Sequence, residues 1–560
     1  MRLRILPILL LLLLLTIPAH AQDNPGKPMQ LPVTAPAGPS TWLIGQPYGN
    51  TTGAFNNGPA WYSAGQGLHF GIDLSMPCGT ELVAVADAEV AFVDDMGFGS
   101  APHNLILRHP ALGLTSLYGH LLETPPLTPG QFVEKGQYVG LSGDPDGPDC
   151  DSRPHLHLEI RSADYRTALN PVDYIDAPWH MLTTIGSFGY PLFQQDMNNA
   201  RQWMRVDDQP DVAFGGRILN SYTSTWPPPR GFEPPPNPPL ARTTAPLDAE
   251  TVTFTARKLA YEGCCFGSWW NPLDPERLFI VDGASGSQAA IFDWQITSTE
   301  PADLVGPGPR PLTSPDGTLE IRLRDEQVII HRTSDGAEWN VQTQGGIPAI
   351  SADNNRLFWE TRATAVAPDL AQPVTEFWVS DLYGQDARRI LAQSGGSAQW
   401  LDAHRLLITT PLANRQTILT IFDTRDDSNY TLGSWPWMRG VDISPGGARL
   451  MFYITRTTEI PNGVYTIETL QGAQAQMLDW FGSWRWRDAD SVYYIPFDPT
   501  TDRQSLIYYD IASGASRTLI DGDNAAFTVT GNDWSVSADG RRIVFMSAAD
   551  NALWLIEQNP

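Results

Sequence analysis

Cysteine and basic residues are both scarce in this 560-residue chain. The four cysteines, Cys78, Cys150, Cys264 and Cys265, form no Cys-x-x-Cys units, which argues against a thiolate-bound structural zinc. Four cysteines allow three pairings that sequence alone does not separate. Cys78 with Cys150 is the expected disulfide, because both fall inside one predicted domain. Lysine and arginine number 36 against 62 aspartates and glutamates, a net charge of −26. That deficit argues against nucleic acid as a partner, since binding it needs cations that neutralise phosphates. It argues equally against a cationic protein drawn to anionic walls. Long apolar runs are also lacking. The first, Ile5 to Ile17 with seven consecutive leucines, follows Met1-Arg2-Leu3-Arg4 and precedes Ala19-His20-Ala21. It falls short of the roughly 20 apolar residues that a membrane span needs. It reads as a secretory signal peptide, residues 1–21, cleaved after Ala21. No transmembrane segment is expected after that cleavage, and the product is expected to be exported, to a periplasm or to the extracellular space.

Residues 22–41 read as an N-terminal extension. From Trp42 to Asp176 the chain carries short β-type runs punctuated by glycine: Glu81–Val85, Glu89–Val93, Asn104–Arg108, Leu114–Tyr118, Tyr138–Leu141 and His155–Ile160. Short strands with frequent turn signals and little helical periodicity predict a compact antiparallel β domain over residues 42–176. Residues 177–225 show no clear period and form an unassigned connection. Residues 226–240, WPPPRGFEPPPNPPL, favour extended polyproline geometry and read as a semi-rigid linker. Beyond it a unit recurs: NPLDPERLFIV from Asn271, SPDGTLEIRL from Ser314, SADNNRLFWE from Ser351, WLDAHRLLIT from Trp400, SPGGARLMFY from Ser444, WRDADSVYYI from Trp486 and SADGRRIVFM from Ser537. Each is a polar turn followed by an apolar or alternating strand. The spacing of about 44 residues is that of a four-stranded blade. The fold class is therefore all-β: a compact antiparallel domain plus a C-terminal β-propeller of about seven blades over residues 241–560. The repeats resemble propellers of the TolB and WD-repeat kind. Trp400, Trp437, Trp486 and Trp534 each precede the turn of a unit, which predicts blade-to-blade packing, with a carbohydrate-binding row of indoles as the sharper alternative. Alternation would put Trp435 with Trp437, and Trp484 with Trp486, on a shared strand face.

Six of the ten histidines lie between His69 and His157. HFGID sets His69 four residues before Asp73, LYGHL carries His120, and PHLHLEI sets His155 two residues before His157. Even spacing in a strand turns His155 and His157 to one face, and His69 and Asp73 likewise share a face. A catalytic zinc site needs three nitrogen or oxygen ligands and an open fourth position. His69, Asp73 and one of His155 and His157 supply that set, leaving the other imidazole and His120 to handle protons. The His-Glu-x-x-His motif is absent, which leaves histidine as the side chain suited to moving protons near neutral pH. Glu159 shares the face of His157, where it either orients a ligand or faces solvent. His103, His109 and His180 read as surface or hairpin residues.

GLHFGID at 67–73, then GTELVAVADAEVAFV, LYGHL, VEKGQYVGLSG, RPHLHLEIR and LNPVDYI resemble successive blocks of the lysostaphin/LytM-type zinc endopeptidases. The resemblance spans about 120 residues. It implies Zn2+ bound by His69, Asp73 and His157, with His120 and His155 as the catalytic histidines. It also implies an antiparallel β fold with a narrow groove, and peptidoglycan stem peptides or crossbridges as substrate. The expected function is that of a secreted endopeptidase acting by a metal-activated water, with the propeller binding a protein or glycan ligand. The alternative is a non-catalytic wall-binding regulator using the same groove, which lost ligands would mark; none is lost. One loop departs from the family pattern. GDPDGPDCDSR carries Asp144, Asp146, Asp149 and Asp151, either an acidic turn or a calcium site outside EF-hand spacing.

Overall fold

The computed structural model describes residues 26–559 apart from 99–102, 151, 186–190, 227–234, 243, 245–246, 248–251, 260–266, 284–286, 299–301, 363–373, 413–414 and 524–526. The expected signal peptide, Cys264, Cys265, Asp151 and the middle of the proline-rich segment lie outside the described residues.

The front module is built from β1 (Leu43–Gln46), β2 (Ile72–Ser75), β3 (Glu81–Val83), β4 (Ala88–Val93), β5 (His103–His109), β6 (Leu114–Leu121), β7 (Phe132–Val133), β8 (Tyr138–Leu141), β9 (His155–Ser162) and β10 (Thr167–Leu169). The later short strands are β11 (Gln195–Asp196), β12 (Val212–Ala213) and β13 (Thr225–Trp226). The main sheet runs β1-β2-β9-β6-β5-β4-β7, with β10 beside β9 and β12 beside β10, while β3 pairs β8 and β11 pairs β13. β12 shows that part of the stretch left unassigned by sequence completes this sheet. Strand alternation sorts the two faces. Ile72 and Leu74 of β2, with Leu156, Leu158 and Ile160 of β9, enter the core beside Leu105, Leu107 and Tyr118. Asp73, His155, His157 and Glu159 are thereby left on the opposite face. Cys78 and Cys150 are joined by a disulfide.

The rear module is a seven-bladed propeller of four-stranded sheets. Each of the seven repeated units is the hairpin between the first and second strands of a blade. In blade two, for example, the turn at Ser314 joins Leu312–Thr313 to Leu319–Arg324. In four of the units a leading serine fastens this turn. Ser314, Ser351, Ser444 and Ser537 each accept, on Oγ, the backbone N–H five residues on, at 2.9–3.0 Å. The hydroxyl thus closes the loop as the second strand begins. The last blade, Val529–Val536, Arg542–Ser547 and Leu553–Gln558, takes its outer strand from Phe254–Lys258, with Phe254 opposite Gln558. That pairing closes the ring.

Trp400, Trp486 and Trp534 are buried in the propeller core, as packing between blades requires. Trp437 does not join them. It lies between the strands Asn429–Pro436 and Met438–Ile443 with φ 51, so the alternation that would pair it with Trp435 is broken there. Trp435 packs on Phe452 at 4.9 Å, whereas Trp437 faces the front module.

The two modules share apolar surface rather than standing apart. One continuous cluster joins Met29, Trp179 and Phe193 to Leu278, Ile280, Met546 and Leu555, and a second sets Leu43 and Ile185 against Met451, Tyr453 and Trp484. Polar contacts reinforce it: Arg456 donates from its backbone to Pro39 O at 2.8 Å, Met181 N to Asp502 Oδ1 at 3.0 Å, and Asn462 Nδ2 to Ser40 Oγ at 3.1 Å. The described end of the proline-rich segment also packs on the propeller. Asn237 Nδ2 donates to Thr313 O at 2.7 Å, and Pro239 O accepts from Gly446 N at 3.0 Å.

Candidate active site

The site grows from three neighbouring strands. β2 and β9 pair so that Asp73 lies opposite His157 and Ser75 opposite His155, which brings carboxylate and imidazoles together on the solvent face. His69, just before β2, is fixed by a two-way bridge with Gly49 and by its ring, whose Nδ1 donates to Pro47 O at 2.7 Å. That commitment leaves the lone pair on Nε2 aimed into the site. Gly71 sits between them because nothing larger fits: a Cβ there would lie 2.6 Å from His157 Cε1 and 2.8 Å from Leu158 O.

The donor atoms converge. His157 Nδ1 is 2.9 Å from Asp73 Oδ1, His69 Nε2 is 3.3 Å from the same oxygen, and the two ring nitrogens are 3.2 Å apart. Among the described residues, these three side chains form the group whose donors meet closely enough to hold a metal. Ligands on a tetrahedral zinc at ordinary bond lengths stand roughly 3.3 Å apart, so the donor set and its spacing fit that ion. His155 stands further out, its Nε2 3.6 Å from Asp73 Oδ1, with Nδ1 donating to Arg153 O at 2.6 Å.

His120 reaches the site through an irregularity. On β6, Gly119 lies opposite both Asn104 and His157, while Leu121 pairs with His103. His120 is the extra residue of a β-bulge, with φ 57. Without the bulge, alternation would turn its ring away from the face that carries His157. With it, the ring packs 4.9 Å from that of His155 and 5.9 Å from that of His157.

Glu159 is buried, not solvent-facing: its carboxylate lies 3.3 Å from His157 Nε2 and takes a forked pair of bonds from Arg161 at 2.5 and 2.9 Å. Burial alone would raise its pKa, but Arg161 and His157 hold it below the usual value. Asp73 follows the same logic. Desolvation pushes its pKa up, while His69, His155 and His157 pull it well below the ordinary carboxylate. Burial disfavours charge on His157, yet Asp73 and Glu159 outweigh that and raise its pKa to about 9. Tyr62 lies edge-on to His69 at 5.6 Å and donates to Gln46 Oε1 at 3.2 Å. Burial, then the charge of Asp73, push its pKa up, so it stays a neutral phenol.

The acidic loop is a self-contained turn. Asp144 accepts the backbone N–H groups of Asp146, Ser152 and Arg153 at 2.8–3.1 Å, and Asp146 is forked by Arg153 at 2.9 and 3.0 Å. These carboxylates have protein donors, and the described residues assemble no calcium site from them. Of the histidines read as surface or hairpin residues, His103 pairs with Asp94 at 3.0 Å. His109 stands at the β5–β6 hairpin but not on the surface: it is fully buried, bridging Asp87 O at 3.0 Å and Ser116 Oγ at 2.9 Å. His180 is half-buried at the end of the short helix Trp179–Leu182.

The site opens into a cleft of about 1260 Å3, and one wall of that cleft comes from the propeller: Leu412, Arg415, Trp437, Arg439 and Arg456 line it with the histidines. No motif announces these residues. Trp437, which the sequence groups with the other repeat tryptophans, is among them only because the folded chain sets it on the cleft.

Residues 67–171 match peptidase family M23. An uncharacterized lipoprotein, YgeR, of Escherichia coli (strain K12) is 32% identical over 117 residues, 20% of this chain and 42% of that protein. The chain thus spans less than half the length of this relative. The catalytic domain of the antimicrobial peptidase lysostaphin from Staphylococcus simulans is 22% identical, covering 23% of this chain and 90% of that one, with a TM-score of 0.19. A putative TolB from Agrobacterium tumefaciens is 16% identical, covering 46% of this chain and 94% of that one, with a TM-score of 0.28. The family match encloses the histidine and aspartate cluster, and the chain therefore carries a peptidase family M23 domain at residues 67–171, joined to a seven-bladed β-propeller.

Proposed function

We propose that the chain is an exported zinc-dependent endopeptidase that hydrolyses peptide bonds in bacterial peptidoglycan stems or crossbridges. The observation that carries the reading is the convergence of His69 Nε2, Asp73 Oδ1 and His157 Nδ1 within 3.3 Å of one another at the floor of an open cleft. Bound there, zinc supplies Lewis acidity and lowers the pKa of a water molecule to about 7. The remaining groups divide the other roles. His155, with Nδ1 committed to Arg153 O, presents Nε2 to the cleft to take a proton from water and return it to the departing amine. His120, one ring-width away, donates to the oxygen on which charge develops. Glu159 and Pro47 O hold the rings of His157 and His69 in place. Export is supported by the charged and apolar residues at the start of the sequence. The relative named a lipoprotein agrees with a place in the cell envelope.

The test is direct. Purified protein is expected to contain about one zinc and to release peptide fragments from peptidoglycan, identified by mass spectrometry, whereas His157→Ala loses both properties. A His157→Ala protein that digests peptidoglycan at the original rate would overturn the assignment.

A further inference from the structure

The wall opposite the histidines has its own chemistry. Arg415 comes from blade four, and Arg439 and Arg456 from blade five; their guanidinium carbons lie 5.2, 6.0 and 5.2 Å from the ring of Trp437. In a chain of net charge −26, three cations gathered on one indole are a marked local concentration of positive charge. Stacking on the aromatic face offsets part of their mutual repulsion. The strain is visible nonetheless: burial, then the charge of Arg415, push the pKa of Arg439 down to about 10. The backbone is strained at the same place. Arg415, Trp437 and Arg456 adopt φ of 59, 51 and 60, the left-handed region that bulky side chains avoid and that clusters at functional sites. Trp437 N donates to Arg415 O at 2.8 Å, tying two of these residues together.

Position gives the cluster its meaning. Arg456 Nη1 donates to Pro154 O at 3.1 Å, one residue before His155, so the cationic wall adjoins the reacting end of the cleft. Arg153, the front module's own arginine on the cleft, turns to that module's acidic loop: Asp146 forks it, and its guanidinium lies 4.9 Å from the Trp61 ring. Planar guanidinium groups match carboxylates with two parallel bonds.

We propose that Arg415, Arg439 and Arg456, held on Trp437, form the substrate-binding wall of the cleft, selecting peptides that carry free carboxylates near the scissile bond over uncharged crossbridges. This rests on the peptidase reading above and narrows it to acidic stem peptides. The arginines are specificity-determining groups on the propeller, so the propeller completes the active site rather than serving only as a separate binding module.

The test uses the full-length, zinc-loaded protein and two synthetic wall stem peptides, identical except that one has free carboxylates and the other carboxamides. The wild type is expected to favour the acidic peptide by about tenfold in kcat/KM, chiefly through KM, with the preference shrinking as salt rises. Arg415→Gln should reduce that preference to about twofold by lowering kcat/KM for the acidic peptide; Arg415→Lys should restore part of it. Arg425→Gln, on the far edge of blade four, serves as control and should change nothing. If Arg415→Gln fails to fold, as judged by its melting temperature, Arg456→Gln answers the same question. Equal cleavage of both peptides by the wild type, or an equal loss on both peptides in the variant, would overturn the proposal and leave the peptidase reading standing. Calorimetric binding of the two peptides to metal-free protein separates the two ideas. Arg415-dependent binding of the acidic peptide without cleavage of either peptide supports the wall and refutes the peptidase; no difference in binding refutes the wall.

Discussion

At the scale of single residues, the proposed zinc site sets a metal in competition with the proton on His157. Asp73 and Glu159 raise its pKa to about 9, so the imidazolium is the resting form of the metal-free site at neutral pH, and binding must release that proton. The sign follows: zinc affinity should rise by about tenfold per pH unit between pH 6 and 8 and level off above about 9, as read by calorimetry against a competing chelator. A flat profile would mean that Nδ1 of His157 is not a ligand. Glu159→Gln weakens the hold on the ring and leaves Arg161 without its anion. The expected loss in zinc affinity is about 10- to 100-fold, checked in the same titration.

At the scale of elements, two irregularities shape the site. The bulge on β6 carries His120 onto the face of β9, so the ring touches the cleft without joining the three proposed metal ligands. His120→Ala should therefore keep zinc while lowering kcat by about 10²- to 10⁴-fold; a variant with lost zinc and normal melting would contradict that separation. Gly71→Ala should do the reverse of this, displacing the His157 ring by the 2.6 Å contact described above and loosening the metal first. Much of this level is legible in the sequence. His69, Asp73, His120, His155 and His157 stand in short motifs whose spacing reflects strand periodicity, and the polar turns announce seven hairpins. The bulge is not legible, because alternation by itself turns His120 away; the gathering of histidines in this stretch and the resemblance to known blocks bring it in. The hairpin position of His109 is legible but its burial is not, because that depends on partners, Asp87 and Ser116, that only the folded sheet brings near. Trp437 escapes sequence reasoning for a similar reason: its role depends on a module more than 200 residues earlier in the chain.

At the scale of the whole molecule, the docking of the two modules encloses acids as well as apolar groups. Between them lies a cavity of about 400 Å3 lined by Ile185 and Phe193 on one side and by Asp442, Arg485 and Asp533 on the other. Burial lifts the pKa of Asp533 to about 6, against the opposing pull of a backbone bond from Gly267 and the charge of Arg485. An acid whose folded pKa lies above its unfolded value binds its proton more tightly in the native state, so its contribution to stability falls as pH rises from about 4 to about 6. Asp533→Asn removes that loss. The variant should melt close to the wild type at pH 4 and be more stable by about 2–3 kcal/mol at pH 7.5, measured by thermal denaturation; a constant offset across that range would place the carboxylate in water. A last consequence concerns the order of assembly. The outer strand of the final blade is Phe254–Lys258 and its neighbour is Leu553–Gln558, some three hundred positions apart in the chain, whereas the sheet bearing the histidines is complete by Ala213. A ribosome thus finishes the histidine-bearing half long before the circle can lock, and the nascent chain carries its histidines while the three arginines of the facing wall are still unmade.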